Sequence, residues 1–422
     1  MTEQTQVCDR TVDSGQTQDK ETCFNPSELL KDFSNLIAGQ RTPLNDDFGI
    51  DFGTTVGATD HCVSDNTEVT DFSPQGDRQP RSEDQKMFDA ISQKLKELGL
   101  DNRFSGQLVI SRDGKQVFNY AAGVADRENN VPITDQTKMR IASMGKMFTS
   151  LAIMQLVERG QLSLNSTLAD FDTGFPDKEL AAKINIRQLL THQAGVGDSL
   201  NDKFDANREN LKSLDDYIRL FGSGERNERD TFKYSNYGYM LLGKIVEKVS
   251  GTNFANYVQE NIFKPAGMNS TGLQPDAKIS DLAKPYLNTD GKLDNVEKRH
   301  PLAPTPAGGA YSTAGDMERF IDAFRSGKLL RRGCVNLMTT PQVVSDAETG
   351  ARYGFGLDIN DTNGVRSYGH TGGFDGTLAN TSFFPDSGLS YTLISNISDL
   401  PNIPGHLLPF IDKLIGERIN RK

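Results

Sequence analysis

Apolar residues are sparse and scattered from Met1 to about Arg81 and become periodic from Ser82 onward. In the first stretch they form short islands, Leu29-Leu30 and Leu36-Ile37, within polar, acidic, turn-rich text. That pattern predicts disorder or loose structure over residues 1–82, with at best a marginal helix from Ser27 to Ala38. From Ser82 to Leu98 the residues Met87, Phe88, Ile91, Leu95 and Leu98 make a helical stripe, ended by Gly99. Two strand-like runs follow, Phe104 to Ser111 and Lys115 to Ala121, around Asp113-Gly114, a hairpin signal. Past a loop from Gly123 to Asp135, the chain from Ser143 to Gly160 reads as a helix of about four turns. Its apolar residues fall on nearly every face, which belongs in the middle of a domain and carries the polar residues at its start into the interior.

Beyond Gly160 helical text dominates. Leu211 to Phe221 is amphipathic, and Met240, Leu241, Leu242, Ile245, Val246 and Val249 form a stripe that Asn236 is placed to cap and Gly251 to stop. Thr313 and Asp316 have capping-box spacing before Met317, Phe320, Ile321 and Phe324. Strand-like text returns at Tyr353 to Leu357, Val365 to His370, Ser382 to Phe384 and Leu389 to Ser395, and a last helix spans Pro404 to Ile419. The expected fold is α+β: an antiparallel sheet completed by both ends of the chain, flanked by the N- and C-terminal helices, with a large all-helical insertion. The folded domain covers residues 83–422, its sheet part about 83–142 and 351–422 and its helical part about 143–350.

Charge sharpens the division. Residues 1–84 hold 17 Asp or Glu against 6 Lys or Arg, a net of −11 that equals the charge of all 422 residues. The body is therefore balanced, which argues against nucleic acid as its partner; the acidic segment is the candidate for docking a protein partner. No run of 18 apolar residues suggests a membrane span, and the first thirty residues lack the features of a signal peptide. A cytoplasmic location is the expectation, with export by a non-standard route left open. Cys8, Cys23, Cys62 and Cys334 include no C-x-x-C pair and read as free thiols. The five histidines are too scattered for a zinc motif, so neither a metal nor a cofactor is expected.

Three motifs carry chemistry. Ser143 and Lys146 stand three apart at the start of the buried helix, on one face and within mutual reach. A hydroxyl beside an amine that is costly to keep charged in low dielectric suits an activated serine nucleophile. Tyr234, two residues before Asn236, supplies a second base candidate, treated as coupled to Lys146 because a nearby cation favours phenolate while burial disfavours ammonium. Asn236 donates and accepts, and so orients an amide or Lys146. His370-Thr371-Gly372-Gly373 ends a strand with small residues, an edge along which a substrate can lie. Backbone N–H groups of Ser143 and Gly373 are the candidates for holding an oxyanion. Taken singly, each motif has a plainer explanation: a helix cap with a lysine reaching solvent, a packed tyrosine, a glycine turn. Their order and spacing together favour catalysis.

In combination they resemble the penicillin-recognising serine hydrolases, specifically the class C β-lactamase-like group that includes D,D-peptidases, D-aminopeptidases and esterases. The resemblance covers roughly residues 83 to 420 and extends to Arg140-Ile141-Ala142-Ser143, Leu189-Leu190-Thr191-His192, Tyr234-Ser235-Asn236-Tyr237-Gly238 and Pro306 to Thr313. It implies an acyl-enzyme on Ser143, with Lys146 and Tyr234 catalytic and with Asn236, His370, Thr371 and Gly372 binding an ester or amide substrate. Many β-lactamases have lysine where this chain has His370, and neutral imidazole anchors a carboxylate poorly. The resemblance therefore points to an esterase, D,D-peptidase or aminopeptidase with weak or no β-lactamase activity. The alternatives are an acyltransferase and a non-catalytic binding protein on the same fold.

Overall fold

The structure, a computed structural model, describes residues 82–273, 279–289, 291–301, 303–362, 364–399 and 407–420. The loose segment expected over residues 1–82 lies outside them, except that Ser82 already begins the first helix.

Helix α1 (Ser82–Leu100) leads into the hairpin β1 (Gly106–Arg112) and β2 (Lys115–Ala122). Asp113 at φ 50° and Gly114 at φ 75° supply the left-handed pair that a tight hairpin turn requires. The insertion then brings helices α2 (Lys146–Glu158), α3 (Asn236–Ser250) and α4 (Ala314–Arg325). The remaining strands are β3 (Val343–Asp346), β4 (Ala351–Tyr353), β5 (Asp358–Thr362), β6 (Val365–Phe374), β7 (Thr377–Phe384) and β8 (Leu389–Ser395), followed by α5 (Leu407–Asn420). They complete an eight-stranded sheet in the order β2-β1-β8-β7-β6-β5-β4-β3, antiparallel throughout.

Alternation along the strands assigns the two faces. Leu108 and Ile110 of β1, with Leu389, Tyr391 and Leu393 of β8, pack under Met87, Phe88, Ile91 and Leu95 of α1 and Leu407, Ile411 and Ile415 of α5. Val109 and Ile394 face the helical insertion instead. Asp84 joins the two terminal helices to the sheet, accepting from Arg112 Nη1 at 2.8 Å and Arg418 Nε at 2.7 Å.

Helix α2 runs through the middle of the insertion, and every residue from Lys146 to Val157 is buried. Its polar members are paired, as burial demands: Thr149 donates to the Pro306 carbonyl at 2.6 Å, Ser150 meets the Tyr239 hydroxyl at 3.2 Å, and Gln155 donates to the Leu329 carbonyl at 3.0 Å. The Phe148 ring stands edge-on to Phe263 and to Phe320 at 4.9 Å. Gly160 closes the helix at φ 69°.

Several expectations are corrected. The insertion is not all helical: its strands Tyr286–Thr289 and Lys292–Asn295 form a three-stranded sheet with Ile397–Asp399 from the C-terminal part, and β3 edges the main one. Strands of three or four residues are too short to show a period. Of the stretch Tyr353 to Leu357 only Tyr353 is in a strand; the rest turns through Gly356 at φ 76°, where a Cβ would stand 2.0 Å from Ser150 Oγ. Thr313 caps α4, but the capping box is half made, because the Asp316 carboxylate is taken by Ser270 N and Thr271 Oγ1. Cys334 is disulfide-bonded, not a free thiol. Cys8, Cys23 and Cys62 lie outside the described residues. Among the described residues no helix is long and apolar enough to cross a membrane.

One buried acid lies in the layer between α4 and the sheet. Glu318 accepts from Ser390 and Thr392 of β8, with Ser111 of β1 also bonded, and burial pushes its carboxyl up to about 7. A carboxyl raised above its unfolded range contributes stability that is complete below about pH 4.5 and lost as pH rises through 7. We expect stability to fall by about 3 kcal/mol between pH 4.5 and 8 from this group. Glu318→Gln should flatten that dependence, as read from urea midpoints across the range.

Candidate active site

Ser143 reaches the cleft on a strained turn. Ala142 sits at φ 43°, a left-handed conformation that costs a non-glycine residue about 1 kcal/mol. A 3₁₀ turn, Ala142–Gly145, then feeds directly into α2. Close backbone packing holds the turn: a Cβ on Gly372 would stand 2.2 Å from the Ile141 carbonyl oxygen, and one on Gly308 2.8 Å from the Ala142 carbonyl carbon. Only glycine permits these approaches. The Ile141 N–H also donates to the Ala310 carbonyl at 3.2 Å.

Lys146, one turn on, is fully buried. Its Nζ lies 3.1 Å from Ser143 Oγ, 2.7 Å from Asn236 Oδ1 and 2.7 Å from the Ala307 carbonyl oxygen. Burial pulls the amine down to about 7, against the opposing pull of the Asp198 and Asp358 carboxylates.

Tyr234 occupies the turn before α3, with the Lys146 amine 4.7 Å from its ring centre. The phenol hydrogen-bonds the Ser143 side chain, yet burial holds it well above its ordinary 10, and neighbouring Asp358, Tyr239 and Asp198 add to the effect. This corrects the expected mutual assistance. Lys146 moves down, but Tyr234 does not move toward phenolate, because desolvation outweighs the nearby amine.

The cap of α3 is also corrected. Ser235, not Asn236, is the N-cap, its hydroxyl accepting from Gly238 N at 2.9 Å. Asn236 is thereby released to the site. Its backbone N donates to Asp198 Oδ1 at 2.7 Å and its Nδ2 to Asp198 Oδ2 at 3.3 Å, which leaves Oδ1 facing Lys146. Asp198 was not singled out from the sequence; it belongs to no motif, and the fold alone brings it to Asn236.

His370 lies on β6 with its imidazole buried and both nitrogens engaged. Nδ1 is 2.6 Å from the Thr371 carbonyl, and Nε2 is 3.0 Å from the Tyr353 hydroxyl. The same hydroxyl lies 3.3 Å from His192 Nε2, while His192 Nδ1 accepts the Ser235 N–H at 3.0 Å. Donor counting assigns the protons. His192 carries its proton on Nε2 and donates to Tyr353; Tyr353 donates to His370 Nε2; His370 donates from Nδ1 to Thr371. Burial holds both imidazoles below their ordinary 6.5, His192 far below. The His192 ring also lies against Tyr234, with centres 4.3 Å apart. Thr371 donates its hydroxyl to Asn380 Oδ1 at 3.0 Å and its N–H to Asp358 Oδ2 at 3.2 Å.

A cleft of about 800 Å³, its open mouth included, adjoins Ser143 and is lined by Asn236, Gly308 and Gly373 among others. The fold thus unites Ser143, Lys146, Tyr234 and Asn236, sets Gly372 against the turn bearing Ser143 and Gly373 in the wall of the same cleft, and turns the side chain of His370 inward. Among the described residues no group of three His, Cys, Asp or Glu stands together to hold a metal ion.

The sequence pattern of the family described as Beta-lactamase matches residues 91–407. The chain belongs to the beta-lactamase family. This beta-lactamase-family protein is a serine hydrolase. It is 28% identical to penicillin-binding protein 4 of Amycolatopsis lactamdurans over 68% of this chain and 80% of that one. It is 27% identical to a D-aminopeptidase of Brucella anthropi, covering 69% of this chain and spanning 56% of the relative's length. Among solved structures, a penicillin binding protein from Bacillus halodurans superposes with a TM-score of 0.67 at 29% identity, over 78% of this chain and 98% of that one.

Long-range ¹H–¹⁵N spectra of histidine-labelled protein at pH 6 are expected to show His192 as the Nε2–H tautomer and His370 as the Nδ1–H tautomer, both neutral. Tyr353→Phe should leave the fold intact and disturb both signals. Charged imidazoles in the wild type would contradict the assignment.

Proposed function

We propose that Ser143 is the nucleophile of an acyl-enzyme mechanism acting on esters or amides, with Lys146 as its base. The observation that carries this reading is the hydrogen-bond count at Lys146 Nζ. A neutral amine has two N–H donors and one lone pair. Its three neighbours are two acceptors, Asn236 Oδ1 and the Ala307 carbonyl, and one hydroxyl, Ser143. With both donors occupied, the lone pair is directed at the Ser143 proton.

Attack on the carbonyl carbon forms the Oγ–C bond as the Ser143 proton moves to Lys146 Nζ. The oxyanion is held by the backbone N–H groups of Ser143 and Gly373, each worth about 3 kcal/mol to the transition state. Tyr234, a neutral phenol, donates its proton to the leaving oxygen or nitrogen and is re-protonated by the Lys146 ammonium. Breakage of the scissile bond leaves an ester on Ser143. Water then attacks the acyl carbon and gives a proton to Lys146; the Oγ–C bond breaks, Oγ takes a proton from Tyr234, which the Lys146 ammonium re-protonates, and the acid leaves with Ser143 restored. Asn236, oriented by Asp198, positions both Lys146 and the substrate.

His370 supports the choice among activities. Its neutral, inward-facing imidazole offers no cation to a substrate carboxylate, so we propose ester or amide hydrolysis with weak or absent turnover of β-lactams. Thr371 and Gly372 line the substrate edge in this reading, and His370 acts by holding β6.

Ser143→Ala is expected to abolish covalent labelling by a fluorophosphonate probe and to lower ester hydrolysis at least roughly 10⁴-fold, with an unchanged far-ultraviolet circular dichroism spectrum. Equal labelling of wild type and variant would sink the nucleophile assignment. The reactive form has a neutral Lys146, so kcat/KM for p-nitrophenyl butyrate should rise with pH along a limb centred near 7. Removing a nearby negative charge destabilises the ammonium, so Asp198→Asn should displace that limb to lower pH. A displacement to higher pH would count against the base.

A further inference from the structure

We propose that the cleft beside Ser143 receives an uncharged, apolar acyl group, so that the preferred substrates are esters or amides of neutral acyl chains, not of acyl groups bearing an ammonium or a carboxylate. The inference rests on the acyl-enzyme reading above and names the substrate class for that site.

The cleft's position identifies which part of the substrate it takes. It is lined by Asn236, Gly308 and Gly373, whereas Tyr234, His370 and Thr371 do not line it. The leaving group has to lie beside Tyr234, which protonates it. Tyr234 is absent from the cleft's lining while Ser143 and Asn236 belong to it, so the acyl part is the one that extends into it.

Its chemistry identifies the class. The walls are built by Leu200, Phe204, Tyr217, Met240, Pro304 and Phe374, and no Asp or Glu is among the described residues that line it. The carboxylates bonded around the site are already occupied: Asp198 by the N–H groups of Asn236 and Ser199, Asp358 by that of Thr371, and the solvent-facing Glu297 by Arg140. An ammonium would therefore enter without a counter-ion, at the cost of an unpaired charge in an apolar site. A carboxylate fares no better. Arg140 lines the cleft but directs one nitrogen to the Ala283 carbonyl at 3.0 Å and another toward Glu297 at 3.7 Å. His300, also in the wall, holds the Asp375 carbonyl at 2.7 Å and packs edge-on to Phe374 at 4.8 Å. Burial pulls its imidazole down to about 3, so it stays neutral. An apolar chain, by contrast, gains binding from each methylene it buries against these walls.

The test uses three p-nitrophenyl esters matched in length: the heptanoate, the 6-aminohexanoate and the monoester of adipic acid. We expect kcat/KM for the heptanoate to exceed each charged ester by at least about thirtyfold at pH 7.5. Leu200 is only half-buried, so Leu200→Asp should fold while placing a carboxylate in the wall. It should narrow or reverse the preference against the 6-aminohexanoate, with an unchanged far-ultraviolet circular dichroism spectrum. Labelling of Ser143 together with equal or better turnover of a charged ester would overturn the inference while leaving the nucleophile standing. Absence of both labelling and turnover would instead overturn the acyl-enzyme reading, and this inference with it.

Discussion

The amine of Lys146 is buried with no carboxylate of the described residues in contact, and the rest of the site depends on that. An ammonium in such a place pays a desolvation cost that neutral neighbours cannot repay, so its proton is weakly held. Two acceptors, Asn236 Oδ1 and the Ala307 carbonyl, keep the amine in place without neutralising it. Asp198 and Asp358 are near enough to act through space, and they keep the amine from losing its proton altogether. The same group is therefore buried enough to give up its proton readily and sufficiently influenced by charge to titrate near neutrality.

Holding that amine still requires an architecture around it. The helix that carries Lys146 is enclosed on every side, so its start cannot drift toward solvent. Its entry turn is clamped by two glycine backbones, one from the insertion at Gly308 and one from the sheet at Gly372. The site thus forms where the helical and sheet parts meet, and neither part contains it alone. The terminal helices stiffen the sheet from the opposite face through the apolar layer and the Asp84 ion pairs.

Neutrality extends beyond the lysine. Tyr234, His192, His370 and Tyr353 all lie in a low-dielectric cluster that disfavours their charged forms. The chain from Ser235 through His192, Tyr353 and His370 to Thr371 consequently has a single consistent arrangement of protons, and it ties the turn bearing Tyr234 to the strand beside Ser143. A lysine at position 370 would need three acceptors where the fold provides a hydroxyl and a carbonyl.

The local text was sufficient for much of this. The hydrophobic period around Ser143 predicts a buried helix, Asp113-Gly114 predicts its hairpin, and Ser143, Lys146 and Tyr234 were legible because each motif needs only a few neighbouring residues. What the sequence by itself determined is therefore the α+β class, the course of the long elements and the identity of the central side chains. Tertiary structure alone decided which way each side chain faces and what it meets: Ser235 capping α3 so that Asn236 is free, Asp198 arriving from a loop with no motif, His370 turning inward to Tyr353, and desolvation raising Tyr234. These outcomes depend on contacts between residues distant along the chain and on the dielectric they create together, and no periodicity or spacing encodes either.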